Sequence, residues 1–160
     1  MKPTVYIETS VISYLTARQS RDLRLAADQA ATRDWWKHER DRFEIFASPF
    51  VISEAQSGDP HAASLRMEAL QGISLLKEHH AATPLASSLL RGLALPDTAD
   101  MDAFHIAMAA VHGIDYLLTW NCRHINNAVM KPRMRVICRD AGFDCPEICT
   151  PVELSGGTLL

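Results

Sequence analysis

Short apolar runs alternate with longer segments of helical periodicity along most of the chain. The short runs lie at 5–7, 44–47, 73–76, 116–119 and 147–149. They are rich in residues that favour strands, and the run at 116–119 is of the kind found inside a parallel sheet. The pattern therefore predicts five strands, of which the one at 73–76 has the weakest signal.

The segments between these runs predict seven helices. In 22–43 neither Gly nor Pro occurs, and apolar residues recur at every fourth position from Leu23 to Trp35, which gives one apolar face of a single long helix. Two further helices begin where a capping residue precedes proline, at Ser48 and at Asp59. The predicted helices cover about 10–17, 22–43, 49–57, 60–70, 83–92, 98–112 and 131–142.

Strands that alternate with helices imply a parallel sheet with helices on both of its faces. We therefore expect an α/β fold with three α/β/α layers and a central parallel sheet of four to five strands. The chain has 160 residues and contains no repeat, low-complexity tract or linker, so a single domain over 1–160 is expected. In such folds the functional site lies beyond the carboxyl ends of the strands.

Composition favours a cytoplasmic protein with no membrane segment. Hydrophobic residues make up 48 % of the chain, but no apolar run approaches the roughly 18 residues that span a bilayer. Glu8 comes too early in the sequence for the apolar stretch of a signal peptide. The four cysteines fall late and irregularly, which favours free thiols over disulfides or a zinc site: Cys122, Cys138, Cys145 and Cys149.

The overall charge of −3 does not by itself indicate a nucleic-acid-binding protein. The distribution of charge is more informative, because 121–139 contains five basic residues and no acidic one. Such a segment can face phosphates even on an acidic protein, but from charge alone a solvated helix face is the favoured interpretation. The five are Arg123, Lys131, Arg133, Arg135 and Arg139.

Four side chains with oxygen ligands are predicted at the carboxyl edge of the sheet. Glu8 follows the first strand, Asn121 follows the strand at 116–119, Glu54 lies in the helix after the second strand, and Asp102 begins the apolar helix at 98–112. Each alone has an ordinary explanation, as a loop residue or a first-turn carboxylate. Together they predict a cation site, because adjacent carboxylates repel unless they are neutralised, and oxygen ligands suit Mg²⁺ or Mn²⁺.

At these positions the chain resembles the PIN-domain ribonucleases, and among them the VapC-like toxins of bacterial toxin–antitoxin pairs. The resemblance extends from Val5 to about Pro151 and is carried by four segments. These are Tyr6-Ile7-Glu8-Thr9-Ser10-Val11, Ile52-Ser53-Glu54, Met101-Asp102-Ala103-Phe104-His105-Ile106-Ala107 and Leu117-Leu118-Thr119-Trp120-Asn121.

The resemblance implies a PIN-like fold and a hydrolase that cuts single-stranded or structured RNA with Mg²⁺ or Mn²⁺. Glu8, Glu54, Asp102 and Asn121 would then be the catalytic and metal-binding residues. Family members usually form dimers and are inhibited by a small antitoxin protein, so a homodimer and an antitoxin are the expected partners. Neighbouring residues are predicted to contact the substrate, namely Thr9, Ser10, Arg123 and His124.

The sequence departs from the usual family pattern at two positions, because Glu8 and Asn121 stand where Asp is common. Glu8 is one methylene longer, and Asn121 brings no charge, so affinity for a second ion should fall. Asp97 or Asp100 would be substitutes, but Asp100 is expected to point away from Asp102. Two alternatives stay open: a PIN-like domain that binds RNA or a partner without cutting, and a phosphohydrolase acting on a small substrate.

Two further features are interpreted in structural terms. His105 lies in the apolar helix and is expected to be a core residue with one hydrogen bond, with pocket lining as the second interpretation. Of the adjacent pair Trp35 and Trp36, one is expected in the core and the other at an interface.

Overall fold

The computed structural model describes residues 1–156, which form a five-stranded parallel sheet with helices on both faces. The strands are β1 (Thr4–Ile7), β2 (Glu44–Ala47), β3 (Ser74–Leu75), β4 (Tyr116–Leu118) and β5 (Glu147–Cys149). The helices are α1 (Thr9–Thr16), α2 (Leu23–His38), α3 (Pro49–Ala55), α4 (Pro60–Leu70), α5 (Ala82–Gly92), α6 (Asp100–Val111) and α7 (Lys131–Asp140). The predicted α/β architecture is therefore confirmed.

The strand order is β3-β2-β1-β4-β5, so β1 lies at the centre of the sheet. Tyr6 of β1 is paired with Phe46 of β2 on one side and with Leu117 of β4 on the other. Because all strands are parallel, the residues that follow β1, β2 and β4 emerge at the same edge. This topology determines which loops surround the site.

The core is built from the central strands and from α6. Tyr6, Ile7, Leu117 and Leu118 are fully buried, and nearly every residue from Ala103 to Ala110 of α6 is buried as well. A helix that is apolar on all sides requires neighbours on all sides, and α6 accordingly packs between the sheet and α5. The deep burial predicted for this helix is confirmed.

The predicted single helix over 22–43 is wrong at its end. α2 ends at His38, and a 3₁₀ turn at Arg40–Arg42 follows. The tighter turn brings Phe43 into the core. It also lets Glu44, the first residue of β2, donate its backbone N–H to the carbonyl of Pro3, which precedes β1. The helix predicted over 98–112 is similarly divided, into a 3₁₀ turn at Asp97–Ala99 and α6.

The two adjacent tryptophans have different environments. Trp35 is fully buried, and its Nε1 donates to the carbonyl of Leu154 at 3.3 Å. Trp36 is partly exposed, with the Arg40 guanidinium 4.2 Å from its ring centroid. One of the pair is thus confirmed as a core residue, and the interface role of the other stays a prediction.

Two expectations about composition can also be compared with the structure. All four cysteines are free thiols, as expected: Cys122, Cys138, Cys145 and Cys149. None of the helices formed by 1–156 combines the length and apolar character needed to cross a membrane.

Replacing Leu117 by Ala should lower the free energy of unfolding by about 2–5 kcal/mol, because the side chain is fully buried in the central sheet and leaves a cavity. Leu23→Ala is the matched control, since Leu23 is 88 % exposed and its truncation should change stability by less than about 0.5 kcal/mol. Urea denaturation of both variants measures the difference. Equal losses at the two positions would contradict the described packing.

Candidate metal centre

Glu8 is the N-cap of α1 and is held at the carboxyl edge by three donors. Its Oε2 accepts the backbone N–H of Ser10 at 3.1 Å, the Ser10 hydroxyl, and the Thr119 hydroxyl at 2.8 Å. Its own backbone N–H donates to Leu118 at the end of β4. The side chain is 5 % exposed, so its carboxylate is fixed rather than free to move in solvent.

Glu54 lies one turn into α3 and is joined to α1 and α6. Its Oε1 accepts the Thr9 hydroxyl at 2.7 Å and lies 2.5 Å from Nε2 of His105. His105 is fully buried, and its Nδ1 lies 2.7 Å from the Tyr6 hydroxyl. That hydroxyl is in turn 2.6 Å from the hydroxyl of Ser48, the N-cap of α3. A continuous hydrogen-bonded chain therefore connects β1, α3 and α6.

The electrostatics of this chain favour an ion pair between His105 and Glu54. Burial lowers the pKa of His105, but the hydrogen bond to Glu54 and the charges of Glu8, Glu54 and Asp102 raise it to above its ordinary value. Burial raises the pKa of Glu54. The hydrogen bond and charge of His105, together with the hydrogen bond from Thr9, outweigh burial, so the net shift of the pKa is downward. The two shifts are in the directions that favour an imidazolium donating to a carboxylate.

Tyr6 remains neutral in this arrangement. Burial, together with the charges of Glu8 and Glu54, outweighs the hydrogen bond to Ser48 and raises the pKa of Tyr6 far above its ordinary value. With both ring nitrogens of His105 protonated, Nδ1 donates to the Tyr6 oxygen, and the Tyr6 hydroxyl donates to Ser48. Each side-chain polar atom that links Ser48, Tyr6, His105 and Glu54 then has a hydrogen-bond partner, as buried polar groups require.

Asp102 and Asn121 form a second part of the site, joined through His124. Oδ2 of Asp102 lies 2.9 Å from Nδ1 of His124. Oδ1 of Asn121 accepts the backbone N–H groups of Arg123 at 3.2 Å and of His124 at 2.9 Å, which is the hydrogen bonding of an Asx turn. The Asn121 backbone N–H donates to Thr119. Through Thr119, this part is connected to Glu8.

The four predicted ligands lie in two hydrogen-bonded networks, one with Glu54 and the other with Glu8, Asp102 and Asn121, and they do not form one tight cluster. Among 1–156, a single group of three or more potential ligand side chains has its atoms within 4.8 Å of one another, and it consists of Glu8, Glu54 and His105. Asp102 lies outside that group, although its charge acts on His105. Asn121 uses its amide oxygen to form the turn.

His105 is the residue whose role the sequence interpretation missed. It was expected to make one hydrogen bond in the core, whereas both of its ring nitrogens are bonded and one of them contacts Glu54. The available signal was a titratable residue inside an otherwise apolar helix, one turn after Asp102. Thr119 was also missed, since its hydroxyl lies at the end of a run interpreted only as a strand.

The structure gives the predicted substrate contacts partners within the site, and their contact with a substrate stays a prediction. The Thr9 and Ser10 hydroxyls donate to Glu54 and Glu8, so they position carboxylates. His124 contacts Asp102. Arg123 is exposed, and its backbone N–H donates to Oδ1 of Asn121.

The donor set suits a hard divalent cation. Each of the carboxylates of Glu8, Glu54 and Asp102 uses one oxygen in the network, and within 1–156 no partner engages the other. Because no buried side-chain polar atom lacks a partner in this part of the chain, those second oxygens are not fully enclosed by protein atoms. His105 fits less well as a ligand, because it is fully buried and its Nε2 already contacts Glu54. We therefore assign it to orienting Glu54, as hydrogen-bonded neighbours of metal ligands do.

In chelator-treated protein, Glu54→Gln should lower the pKa of His105, because the substitution removes the charge that stabilises the imidazolium. An NMR titration measures this shift, and His105→Gln identifies the signal among seven histidines. The pKa of His105 is higher in the folded protein than in the unfolded chain. Protonation of His105 therefore contributes its full stabilisation below the ordinary histidine pKa, and this stabilisation is lost as the pH rises through the pKa of the folded state. Asp100→Asn is the control, and an unchanged pKa in Glu54→Gln would contradict the ion pair.

The chain was also compared with known proteins. No protein-family model and no curated protein matches it.

Proposed function

We propose that the protein is a Mg²⁺- or Mn²⁺-dependent endoribonuclease of the PIN-domain type, similar to the VapC-like toxins. The proposal is supported by one observation above all. Glu8 and Glu54 follow neighbouring strands, have ligand atoms within 4.8 Å of each other, and each keep one oxygen without a hydrogen-bond partner in 1–156. Oxygen ligands at the carboxyl edge of a parallel sheet are the arrangement that a hard cation prefers.

The second oxygens of Glu8 and Glu54 are the proposed direct cation ligands, and Asp102, which lies outside their group, would hold the cation through one of its water ligands. A cation bound there would activate water and stabilise negative charge on the phosphate during hydrolysis. Ser10 and Thr119 fix the Glu8 carboxylate, and Thr9 fixes that of Glu54. Such preorganisation matters because ligand positions tolerate errors of only about 0.5 Å.

His105 supports the same carboxylates when no cation is present. Its protonated ring offsets the mutual repulsion of Glu8, Glu54 and Asp102, and its hydrogen bond fixes the orientation of Glu54. Removing one partner of a buried charge pair leaves the other uncompensated, which is strongly destabilising. His105 is therefore a positioning residue of the proposed site.

The proposed substrate and partners follow from the resemblance and from the charge distribution. RNA is the proposed substrate, and the basic segment at 121–139, which begins at Asn121, would provide cationic side chains for its phosphates. Exposed Arg123 is the member closest in sequence to the site. A cytoplasmic location, a homodimer and a small antitoxin protein belong to the same proposal.

A second candidate is a domain that binds RNA or a partner protein without efficient cleavage. It is favoured by the His105–Glu54 ion pair, because a protonated imidazole already neutralises one carboxylate that a cation would need. Asn121 adds to this, since its amide brings no charge and its oxygen accepts two backbone N–H groups. The two candidates differ in whether bound RNA is cut.

Purified protein should cleave RNA when Mg²⁺ or Mn²⁺ is added and should lose this activity with EDTA. Asp102→Asn and Glu8→Gln should each reduce the cleavage rate at least about 100-fold, because a lost ligand removes several kcal/mol of transition-state stabilisation. Asp100→Asn is the matched control: Asp100 is exposed, lies two residues before Asp102, and accepts only from the backbone of Met101 at 2.8 Å. It should cleave as the wild type does.

Two outcomes would overturn the proposal in different ways. Cleavage that Asp102→Asn and Glu8→Gln leave intact would remove the assigned roles and indicate a contaminating nuclease. RNA binding without cleavage at any concentration of either metal would favour the second candidate.

A further inference from the structure

Tyr14 and Trp120 form an aromatic stack beside Glu8 that the proposed metal chemistry does not require. Their ring centroids are 5.5 Å apart, and their planes differ by 12°. Both side chains are partly exposed. Trp120 directly follows Thr119, whose hydroxyl donates to Glu8, so the stack begins one residue from the carboxyl edge.

Trp120 is fixed relative to Glu8 by two hydrogen bonds, one from its ring and one from its backbone. Its Nε1 donates to the hydroxyl of buried Thr32 on α2 at 2.8 Å. Its backbone N–H donates at 2.8 Å to the Ser10 hydroxyl, which itself donates to Glu8. A ring fixed in this way offers a flat surface at little cost in conformational entropy.

Tyr14 lies one turn after Ser10 on α1, so the two residues share a helix face. Trp120 packs against the core, and Tyr14 is the outer ring of the pair. Burial raises the pKa of Tyr14 most, and the charges of Asp28, Cys122 and Glu8 raise it further, so the phenol is neutral.

Two exposed cationic residues come from the segments that carry or contact Trp120. Arg123 lies three residues after Trp120 in the same loop, and Arg24 lies on α2, the helix whose Thr32 accepts the Trp120 Nε1–H. Aromatic rings bind single-stranded nucleic acid through base stacking, and arginine side chains add phosphate contacts.

We infer that the Tyr14–Trp120 stack is a nucleobase subsite, which binds an unpaired base of the RNA next to the phosphate that is cut. This inference rests on the proposed function. A base inside a duplex is covered on both faces, so the subsite selects RNA that is single-stranded at this nucleotide.

Fluorescence anisotropy with labelled 12-nucleotide RNA in EDTA tests the subsite without cleavage. Tyr14→Leu keeps an apolar side chain but removes the ring, and it should weaken binding roughly 5- to 100-fold, as the loss of one stacked base does. Tyr14→Phe keeps the ring and should bind as the wild type does. Trp36→Leu, which removes another partly exposed ring from α2, is the matched control and should leave binding unchanged.

RNA with single abasic nucleotides distinguishes stacking from a general loss of structure. At one position of the RNA, removal of the base should weaken binding to the wild type by about the same factor as Tyr14→Leu does. The same abasic RNA should bind to the Tyr14→Leu variant no more weakly than the intact RNA does. A duplex of the same sequence should bind more weakly than the single strand, and Tyr14→Leu should not alter its affinity. Melting temperatures of all variants establish that they are folded.

Equal affinity of the wild type and folded Tyr14→Leu for single-stranded RNA would overturn the subsite, as would a comparable loss in Trp36→Leu. Either result leaves the ribonuclease proposal standing if the RNA is cut. Tyr14-dependent binding without cleavage in either metal would support the subsite and overturn the ribonuclease proposal. The absence of RNA binding by the wild type would overturn both.

Discussion

The ion pair between His105 and Glu54 is the interaction on which the rest of the candidate site depends. It brings a carboxylate from α3 against a fully buried ring of α6, and the same ring is bonded to Tyr6 in the central strand. A buried histidine or an isolated carboxylate would each be unfavourable at this place, but together they satisfy one another. The charges of Glu8, Glu54 and Asp102 in turn raise the pKa of His105, which favours its protonated form at this edge.

The position of the Glu8 carboxylate depends directly on the pairing of strands in the parallel sheet. Ile7 of β1 is paired with Leu118 of β4, so the residues after these strands emerge side by side. Glu8 therefore meets the hydroxyl of Thr119, while its backbone N–H donates to Leu118. Ser10, in the first turn of α1, completes the contacts of Glu8, and its hydroxyl also accepts a hydrogen bond from the backbone N–H of Trp120. One pair of neighbouring strands thus positions a proposed ligand and the aromatic stack.

Much of this fold can be predicted from local signals, because its caps and strands are encoded in adjacent residues. Ser48 and Asp59 do cap α3 and α4, each with proline in the first turn. The end of α2 was not predictable, because the 3₁₀ turn after His38 is set by the distant packing of Phe43 and not by a Gly or Pro. For the site, sequence predicted which residues reach the edge. It did not predict that His105 would neutralise Glu54, because that contact joins residues 51 positions apart.

Asn121 has a structural explanation that is independent of metal binding. Its amide oxygen accepts two backbone N–H groups, and this turn places His124 against Asp102. A carboxylate at 121 could accept the same two bonds, but it would add a negative charge next to Asp102 and Glu8, where the protonated His105 already has three carboxylates to offset. An amide keeps the turn and avoids that repulsion. The departure at 121 therefore changes the charge of the site while it preserves the loop that orients Asp102.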